Sequence, residues 1–469
     1  MIELTHRQCG TGFQPVERAW PRHQTQKAGG TILIVTIWVV LVLAGLALVF
    51  ARSMRVAAIV AANHVASLEA ECIAAGASQF ITAQLTAETQ QQSTLLMDSA
   101  PYEAAQVGKG YFWVLRSNLE DDEQIDYGLT DEAGKINLNS ASLEMLLRLP
   151  GMTSELAASI IDWRDEDSEI SAGGAENEYY LLQAEPYNCK NAAFETVDEI
   201  LLVKGASEEL LYGEDTNLNG VLDDHENDGD LSDPPDNRNG RLEAGFYDYV
   251  TVYSVEANAD SNGSQRINLN DAASRSQLQT ALQEVVTEER ALEIMNLVPT
   301  GPSFANVLDF YFDVGLKFEE FAKIADRLTT SSEETLRGLV NVNTASKEVL
   351  LCLPGLEERD ADAMLSYRDN NSDQISSVAW VTKVLDRQKA AAIGSYITVR
   401  SFQYSADIVC LAGSGRAYKR FKAVFDTQDG EPQTVYWKSL THSGWPLGRE
   451  IVAALRKGLP LTKAVLATN

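Results

Sequence analysis

The sequence predicts an α+β fold: a long amino-terminal helix that crosses a membrane, a small sheet drawing strands from both ends of the region beyond it, and helical modules inserted between those strands. Three observations predict it. An unbroken apolar stretch near the amino terminus passes without a proline into a long helical pattern, a short phrase recurs along the chain, and β-type segments flank the recurrences on both sides.

The chain of 469 residues is 45% apolar, enough for a sizeable core and two or three folding units. With 67 acidic against 38 basic residues its formal charge is −29, so most of the surface repels phosphate backbones, and a general DNA-coating role is disfavoured. Cys9, Cys72, Cys189, Cys352 and Cys410 lie far apart with no Cys-x-x-Cys pair, which disfavours a zinc ribbon and a dense disulfide framework. Buried free thiols are the simplest reading, with one or two bridges open if the domain lies outside the cytoplasm. The histidines are equally scattered. No nucleophile, base and orienting group assemble from any motif, and no phosphate loop is present, so no catalytic residue is expected and the chain does not read as an enzyme.

From Thr31 to Ala51 every residue is apolar, small or threonine, close to the ~20 residues that span a bilayer as a helix. Arg7, Arg18, Arg22 and Lys27 precede the run, whereas after Arg52 and Arg55 the next basic residue is Lys109, so the positive-inside bias puts the amino terminus in the cytoplasm. The far side of the run is Arg-Ser-Met-Arg, unlike the small-residue cleavage site of a secretory signal, so the segment is expected to stay in the mature protein. Helical spacing then continues to about Glu88, with many alanines that allow close packing.

Immediately before the run, Lys27-Ala28-Gly29-Gly30 resembles a prepilin-type leader, which implies cleavage by a prepilin peptidase after Gly30 and a mature chain starting at Thr31. The alternative is a signal anchor with an uncleaved tail. Most pilins and pseudopilins carry glutamate at the fifth mature position, where this chain has Val35. A carboxylate in lipid is costly unless it meets a partner, and a subunit at a fibre tip has no subunit above it to supply one. Lack of that glutamate resembles the K-type minor pseudopilins of type II secretion.

Ile136-Asn137-Leu138-Asn139-Ser140-Ala141-Ser142 returns as Val340-Asn341-Val342-Asn343-Thr344-Ala345-Ser346. Leu149-Pro150-Gly151 matches Leu353-Pro354-Gly355 at the same offset, and Arg164-Asp165 matches Arg368-Asp369. A third, partial copy opens at Ile267-Asn268-Leu269-Asn270 and lacks the Leu-Pro-Gly step. Asn139 and Asn343 are placed to cap helices, and the Pro150-Gly151 and Pro354-Gly355 hairpins turn the chain into a second helix. Such units resemble helix-hairpin-helix folds and the SAM-like modules of K-type pseudopilins. In DNA-binding versions the hairpin amides hold a phosphate. Here acidic Glu155, Glu357, Glu358 and Asp360 stand beside the hairpins, so a packing role is favoured and no nucleic acid is expected.

Between the copies, Asp215-Thr216-Asn217-Leu218-Asn219-Gly220-Val221-Leu222-Asp223-Asp224-His225-Glu226 satisfies the twelve-residue EF-hand loop pattern. Calcium is a hard cation served by several oxygens, and the spacing assigns side-chain oxygens to Asp215, Asn217 and Asn219, a carbonyl to Val221, a direct or water-mediated contact to Asp223 and two oxygens to Glu226. The expectation is a structural Ca2+; the alternative is an acidic, solvated loop. Asp228, Asp230, Asp233, Asp236 and Asn239 depart from the motif's spacing and offer only a weaker second cluster. The resemblance also implies calcium binding, since K-type pseudopilins bind calcium as a family.

Strands are expected at Tyr111 to Arg116, Tyr247 to Val255 and Tyr396 to Phe402, with alternating segments near Phe421 to Phe425 and Thr434 to Trp437. The arrangement resembles a pilin domain, a long helix on a small antiparallel sheet with SAM-like, helix-hairpin-helix modules inserted. Expected boundaries are 1–30 for the leader, 31–95 for the transmembrane and pilin helix, 96–130 for the first strands and 131–245 for the first module with its acidic loop. The partial repeat then takes 246–335, the second full module 336–390, and the terminal strands and tail 391–469. Arg449, Arg456, Lys457 and Lys463 in that tail suggest a solvated helix or an interaction surface. The resemblance implies a pseudopilin at the tip of a type II secretion pseudopilus that initiates and caps the fibre for protein export. Its implied partners are other minor pseudopilins and the inner-membrane secretion assembly, and its main domain is periplasmic on a single-pass inner-membrane anchor. A membrane-anchored DNA receptor for uptake is the alternative.

Overall fold

The structure is a computed structural model that describes residues 29–91, 100–119, 124–231 and 234–461. The leader before Gly29 therefore lies outside the described residues, and Gly30 and Thr31 are described only as backbone in the first turn of the opening helix. The chain divides into two units, 1–62 and 63–469, with helix α1 (Gly29–Gln91) contributing to both.

In the first unit α1 presents apolar side chains to the outside from Ile32 onward, and a window of mean hydropathy 3.1 makes it the one helix among the described residues apolar and long enough to cross a membrane. In the second unit the same helix buries a stripe: Ala66, Ala70, Ile73, Ala74, Ala77, Ile81 and Leu85 recur at spacings of three and four, the period that keeps one face inward. That face packs on the main sheet beside Gly110, where a Cβ would stand 2.5 Å from the backbone oxygen of Leu411 on the neighbouring strand, a contact that no side-chain movement relieves.

The sheet is antiparallel and takes strands from both ends of the second unit. Its early members are β1 (Ala105–Val107), β2 (Gly110–Arg116), β3 (Asp126–Tyr127) and β4 (Thr130–Asp131). Three helical modules follow. The first runs from β5 (Ile136–Asn137) through α2 (Leu143–Leu146), α3 (Ser154–Arg164), α4 (Asn177–Tyr180) and α5 (Glu208–Tyr212) to β6 (Val250–Thr251). After β7 (Val255–Ala257), the second runs from β8 (Ile267–Asn268) through α6 (Arg275–Val285), α7 (Glu288–Leu297), α8 (Val307–Asp313) and α9 (Phe318–Ile324) to β9 (Leu328–Thr329). β10 (Thr335–Arg337) pairs antiparallel with β7 and closes that insertion at its base. The third runs from β11 (Val340–Asn341) through α10 (Lys347–Cys352), α11 (Glu358–Asn370), α12 (Val381–Val384) and α13 (Arg387–Ile393) to β12 (Ile397–Thr398). The chain then returns to the sheet as β13 (Gln403–Leu411), β14 (Tyr418–Asp426) and β15 (Gln433–Ser439), and ends its described course with α14 (Arg449–Arg456). The sheet order is β1-β2-β13-β14-β15, with β3 on β2 and β4 on β13.

Each module opens and closes with a two-residue strand, and the two pair in parallel: β5 with β6, β8 with β9, β11 with β12. The first asparagine of each phrase accepts from the amide two residues on, at 2.8 Å for Asn137, 2.9 Å for Asn268 and 2.9 Å for Asn341. The second grips a distant segment: Asn139 bonds Phe194, Asn270 bonds Phe304, and Asn343 bonds the Ile375 carbonyl and the Trp380 indole. The third copy is thus complete, because strand closure and asparagine clamps define the unit, and Thr287 begins α7 where the others use Pro-Gly. The same geometry corrects the expected caps. Ser142 and Ser346 accept from Met145 and Val349 at 3.3 Å and cap α2 and α10, leaving Asn139 and Asn343 to their tethers.

Two strand expectations also change. Residues 247–255 break into a short helical turn, β6 and the start of β7, all serving the modules and not the main sheet, because Thr251 and Val255 face module partners. Within 396–402 only Ile397–Thr398 is strand, and the strand that matters is the next one, β13, at the centre of the sheet. Its Ala406, Ile408 and Cys410 face α1, whereas Val409 and Leu411 join Trp113 and Leu115 beneath Ile451 and Leu455 of α14. The tail helix is therefore packed on the sheet, not solvated; Lys463 lies outside the described residues. Among the described cysteines all are free, with Cys189, Cys352 and Cys410 buried and Cys72 exposed.

Candidate metal centre

The first module carries the acidic loop between α5 and β6, and Gly213 and Gly220, at φ +68° and +73°, turn the chain where a Cβ would meet Glu243 O at 2.0 Å and Ser117 Cα at 3.1 Å. Asp215, Asn217, Asn219 and Glu226 are all buried, with Asp223 half-buried. Asp215 accepts from the amides of Asn219 (3.0 Å, Oδ1) and Gly220 (2.9 Å, Oδ2), which curls the loop around its carboxylate. Asn219 Oδ1 accepts from Val221 N at 2.8 Å, while Glu226 closes the ring by accepting from Thr216 N at 3.0 Å and Asp223 N at 3.1 Å. Carboxylate or ring atoms of Asp223, His225 and Glu226 lie within 4.8 Å of one another.

Electrostatics show what the arrangement lacks. Burial, and Glu226 next to it, push the Asp215 carboxyl up to about 7, and burial raises Glu226 as well. Asn217 Oδ1 is buried with no hydrogen-bond partner, at the third position of the motif. Asn217 and Asn219 meanwhile donate to Asp223 Oδ2 at 2.6 and 3.1 Å, leaving their oxygens free of that carboxylate. Oxygen donors with two buried acids and an orphaned acceptor fit a hard cation. The weaker cluster does not converge in the same way: both Asp236 oxygens accept backbone amides, from Asp228, Gly229 and Arg238, Asp230 is exposed, and Asp233 lies outside the described residues.

The loop is bolted to the sheet by a residue no motif announces. Arg420 on β14, fully buried, bonds Asp407 of β13 through Nε at 2.9 Å and Nη2 at 2.5 Å, and donates to the carbonyls of Leu218, at 2.6 Å, and of Asn217. Asn219 adds a bond to Pro446 O at 3.0 Å. One signal existed in the sequence: Arg420 interrupts the apolar alternation of a strand, at a position where a charge needs a partner.

The hairpins are spent on packing. Gly151 and Gly355 hold φ +68° and +76° after their prolines, and Arg148 at the end of α2 donates to Leu351 O at 3.1 Å and Leu356 O at 3.0 Å. The base nearest the first hairpin thus satisfies the free carbonyls of α10 and the turn after it. Glu155 pairs with Lys204 at 2.9 Å and Asp360 with Lys389 at 2.5 Å.

Residues 120–212, the segment that leads from the sheet through the first hairpin to the edge of the acidic loop, match the family described as type II secretion system, protein K. That segment, 93 of the 469 residues, is similar to the family. Among solved structures the chain is similar to a chain in the GspK-GspI-GspJ complex from the type 2 secretion system of enterotoxigenic Escherichia coli, with 11% identity and a TM-score of 0.40 over 79% of this chain and 96% of that one. No curated protein matches the sequence.

Proposed function

We propose that this chain is the tip subunit of a type II secretion pseudopilus, where it initiates and caps the fibre, with other minor pseudopilins as its partners. The match of residues 120–212 to the type II secretion system protein K family supports the system, and the observation that carries the tip position is the apolar run of α1, which reaches Ala51 without one ionisable residue and has Val35 where a stacked subunit would place a charge. In this reading the first unit anchors the chain in the inner membrane, the second lies in the periplasm, and prepilin peptidase cuts between Gly30 and Thr31. The helical modules give the head its bulk above the sheet strands. Its role is structural, with energy supplied elsewhere in the secretion assembly. Calcium binds Asp215, Asn217, Asn219, the Val221 carbonyl, Asp223 and Glu226 and locks the loop that Arg420 bolts to the sheet.

Mass spectrometry of the native chain tests the processing, with a mature terminus at Thr31 expected and an intact Met1 contradicting it. Cross-linking through single cysteines along residues 32–51 in assembled fibres tests position: neighbours are expected beside and below this chain, and a subunit trapped above Thr31 removes the tip assignment.

A further inference from the structure

The second and third modules leave a cleft of about 970 Å³ between them. Its walls come from the chain between Lys323 and Ser331 at the end of the second module, from all three residues of β10, and from the stretch between Gly394 and Arg400 that closes the third module. A second hollow of about 570 Å³ adjoins it at Asn262 and Arg327, which line both. A site for one small molecule holds at most roughly 1,000 Å³, so the two hollows together suit a longer ligand.

The cleft is basic in a chain of net charge −29: five lysines and arginines line it against three acids. Two of those acids are committed. Buried Glu256 accepts from Arg266 at 2.7 Å and from Thr398 at 2.8 Å, one bond to each oxygen, and Asp326 meets Arg266 at 3.4 Å and Arg400 at 3.5 Å. Lys323 and Arg337 are exposed and have no acidic partner among the described residues, while Arg400 engages Asp326 and the Ala259 carbonyl through Nη1 and keeps its other donors. β10 adds an open strand edge. Gly338 N bonds Ser254 O and Asn258 N bonds Glu334 O, both at 2.9 Å, so in the alternating antiparallel ladder Leu336 and Glu256 are the bonded pair between them. The N–H and C=O of Thr335 and Arg337 then point away from β7, and no third strand joins that sheet among the described residues. Such an edge is a template for another chain.

The geometry points to a docking site for an extended acidic segment of a partner protein, added to the free edge of β10 with its carboxylates on Lys323, Arg337 and Arg400. Backbone pairing supplies a hold that any sequence can use, and alternate side chains of the added strand face one way, where the cations select carboxylates. Val307, Leu339 and Val399 give the cleft apolar surface for the side chains between them. Nucleic acid fits worse: no aromatic ring lines either hollow for a base to stack on, and the overall charge repels phosphates. This docking is independent of the fibre-tip assignment, which rests on α1.

Fluorescence anisotropy with the detergent-solubilised full chain tests the site, the probe being a labelled peptide of about eight residues that alternates threonine and glutamate, within the length of an ordinary strand. Saturable binding that weakens as salt rises is expected, with no binding of the same peptide carrying lysine for glutamate. Proline at alternate positions of the probe removes ladder donors and is expected to abolish binding. Combining Lys323→Glu with Arg337→Glu, both on exposed side chains, is expected to weaken binding at least about tenfold while the thermal midpoint stays at the wild-type value. Both probe controls use the wild-type chain, so they carry the test should the double variant fail to fold. No saturable binding, equal binding of the lysine peptide, or wild-type affinity in the double variant overturns the site. Undiminished binding of the proline probe overturns strand addition, and tighter binding of duplex DNA than of the glutamate peptide overturns a peptide as the ligand.

Discussion

Arg420 shows what one buried charge accomplishes at the scale of a residue. Burial alone would lower its guanidinium, yet Asp407 outweighs that and holds it charged, and its remaining protons fix two loop carbonyls. Arg420→Leu strands Asp407 and frees the loop, so urea unfolding should show a loss of ~3–5 kcal/mol, with calcium affinity falling as well. Glu132 and Lys135, both buried and 3.0 Å apart, form a second such pair, to which Thr251 donates. Burial by itself raises the Glu132 carboxyl, but Lys135 and Lys422 outweigh it and hold it below the ordinary value of 4.5. A carboxyl lowered on folding contributes stability above its unfolded value and loses it as pH falls through the folded one. Glu132→Gln should therefore destabilise the chain at neutral pH and differ little from wild type in acid below that range, read from urea midpoints across pH.

At the scale of elements, the three modules use one joint three times. Thr251, Thr329 and Thr398 end the closing strands and accept from the amides of Tyr253, Ser331 and Arg400 at 3.0, 3.1 and 3.2 Å, mirroring the asparagines that open them. The hairpin glycines occupy left-handed backbone, so Gly151→Ala and Gly355→Ala should each cost ~1–2 kcal/mol in chemical denaturation, whereas alanine in place of Pro150 or Pro354 should cost less. Helix α14 covers an apolar face that includes Trp113, Leu115, Val409 and Leu411. Ending the chain at Gly448 exposes that face, and self-association in light scattering is the expected result.

For the whole molecule, charge and anchor set the behaviour. A net charge of −29, with the first hairpin's arginine engaged on carbonyls, leaves little to hold a phosphate. Duplex DNA in low-salt titration should bind negligibly, and steep salt-dependent binding would favour an uptake receptor instead. The apolar part of α1 should keep the native chain in the membrane fraction through high salt and alkaline carbonate, with release only by detergent.

Much was legible in the residues alone: the apolar helix, the repeated phrase, the positions of β2, β14 and β15, and the spacing of the acidic loop, because each is a local pattern whose period or composition carries its own physics. β13 was not, since a central strand buried on both faces loses the alternation that marks a half-exposed one. The completeness of the middle module was hidden for another reason: its closing partner lies 61 residues on, at Ile267 against Leu328, and such pairing leaves no trace in neighbouring residues. Only the tertiary structure decided that an insert from the first module is fastened to the sheet through Arg420, and that Asn139 and Asn343 clamp distant segments in place of capping helices. Those are consequences of burial, which turns isolated polar residues from different loops into groups that must satisfy one another.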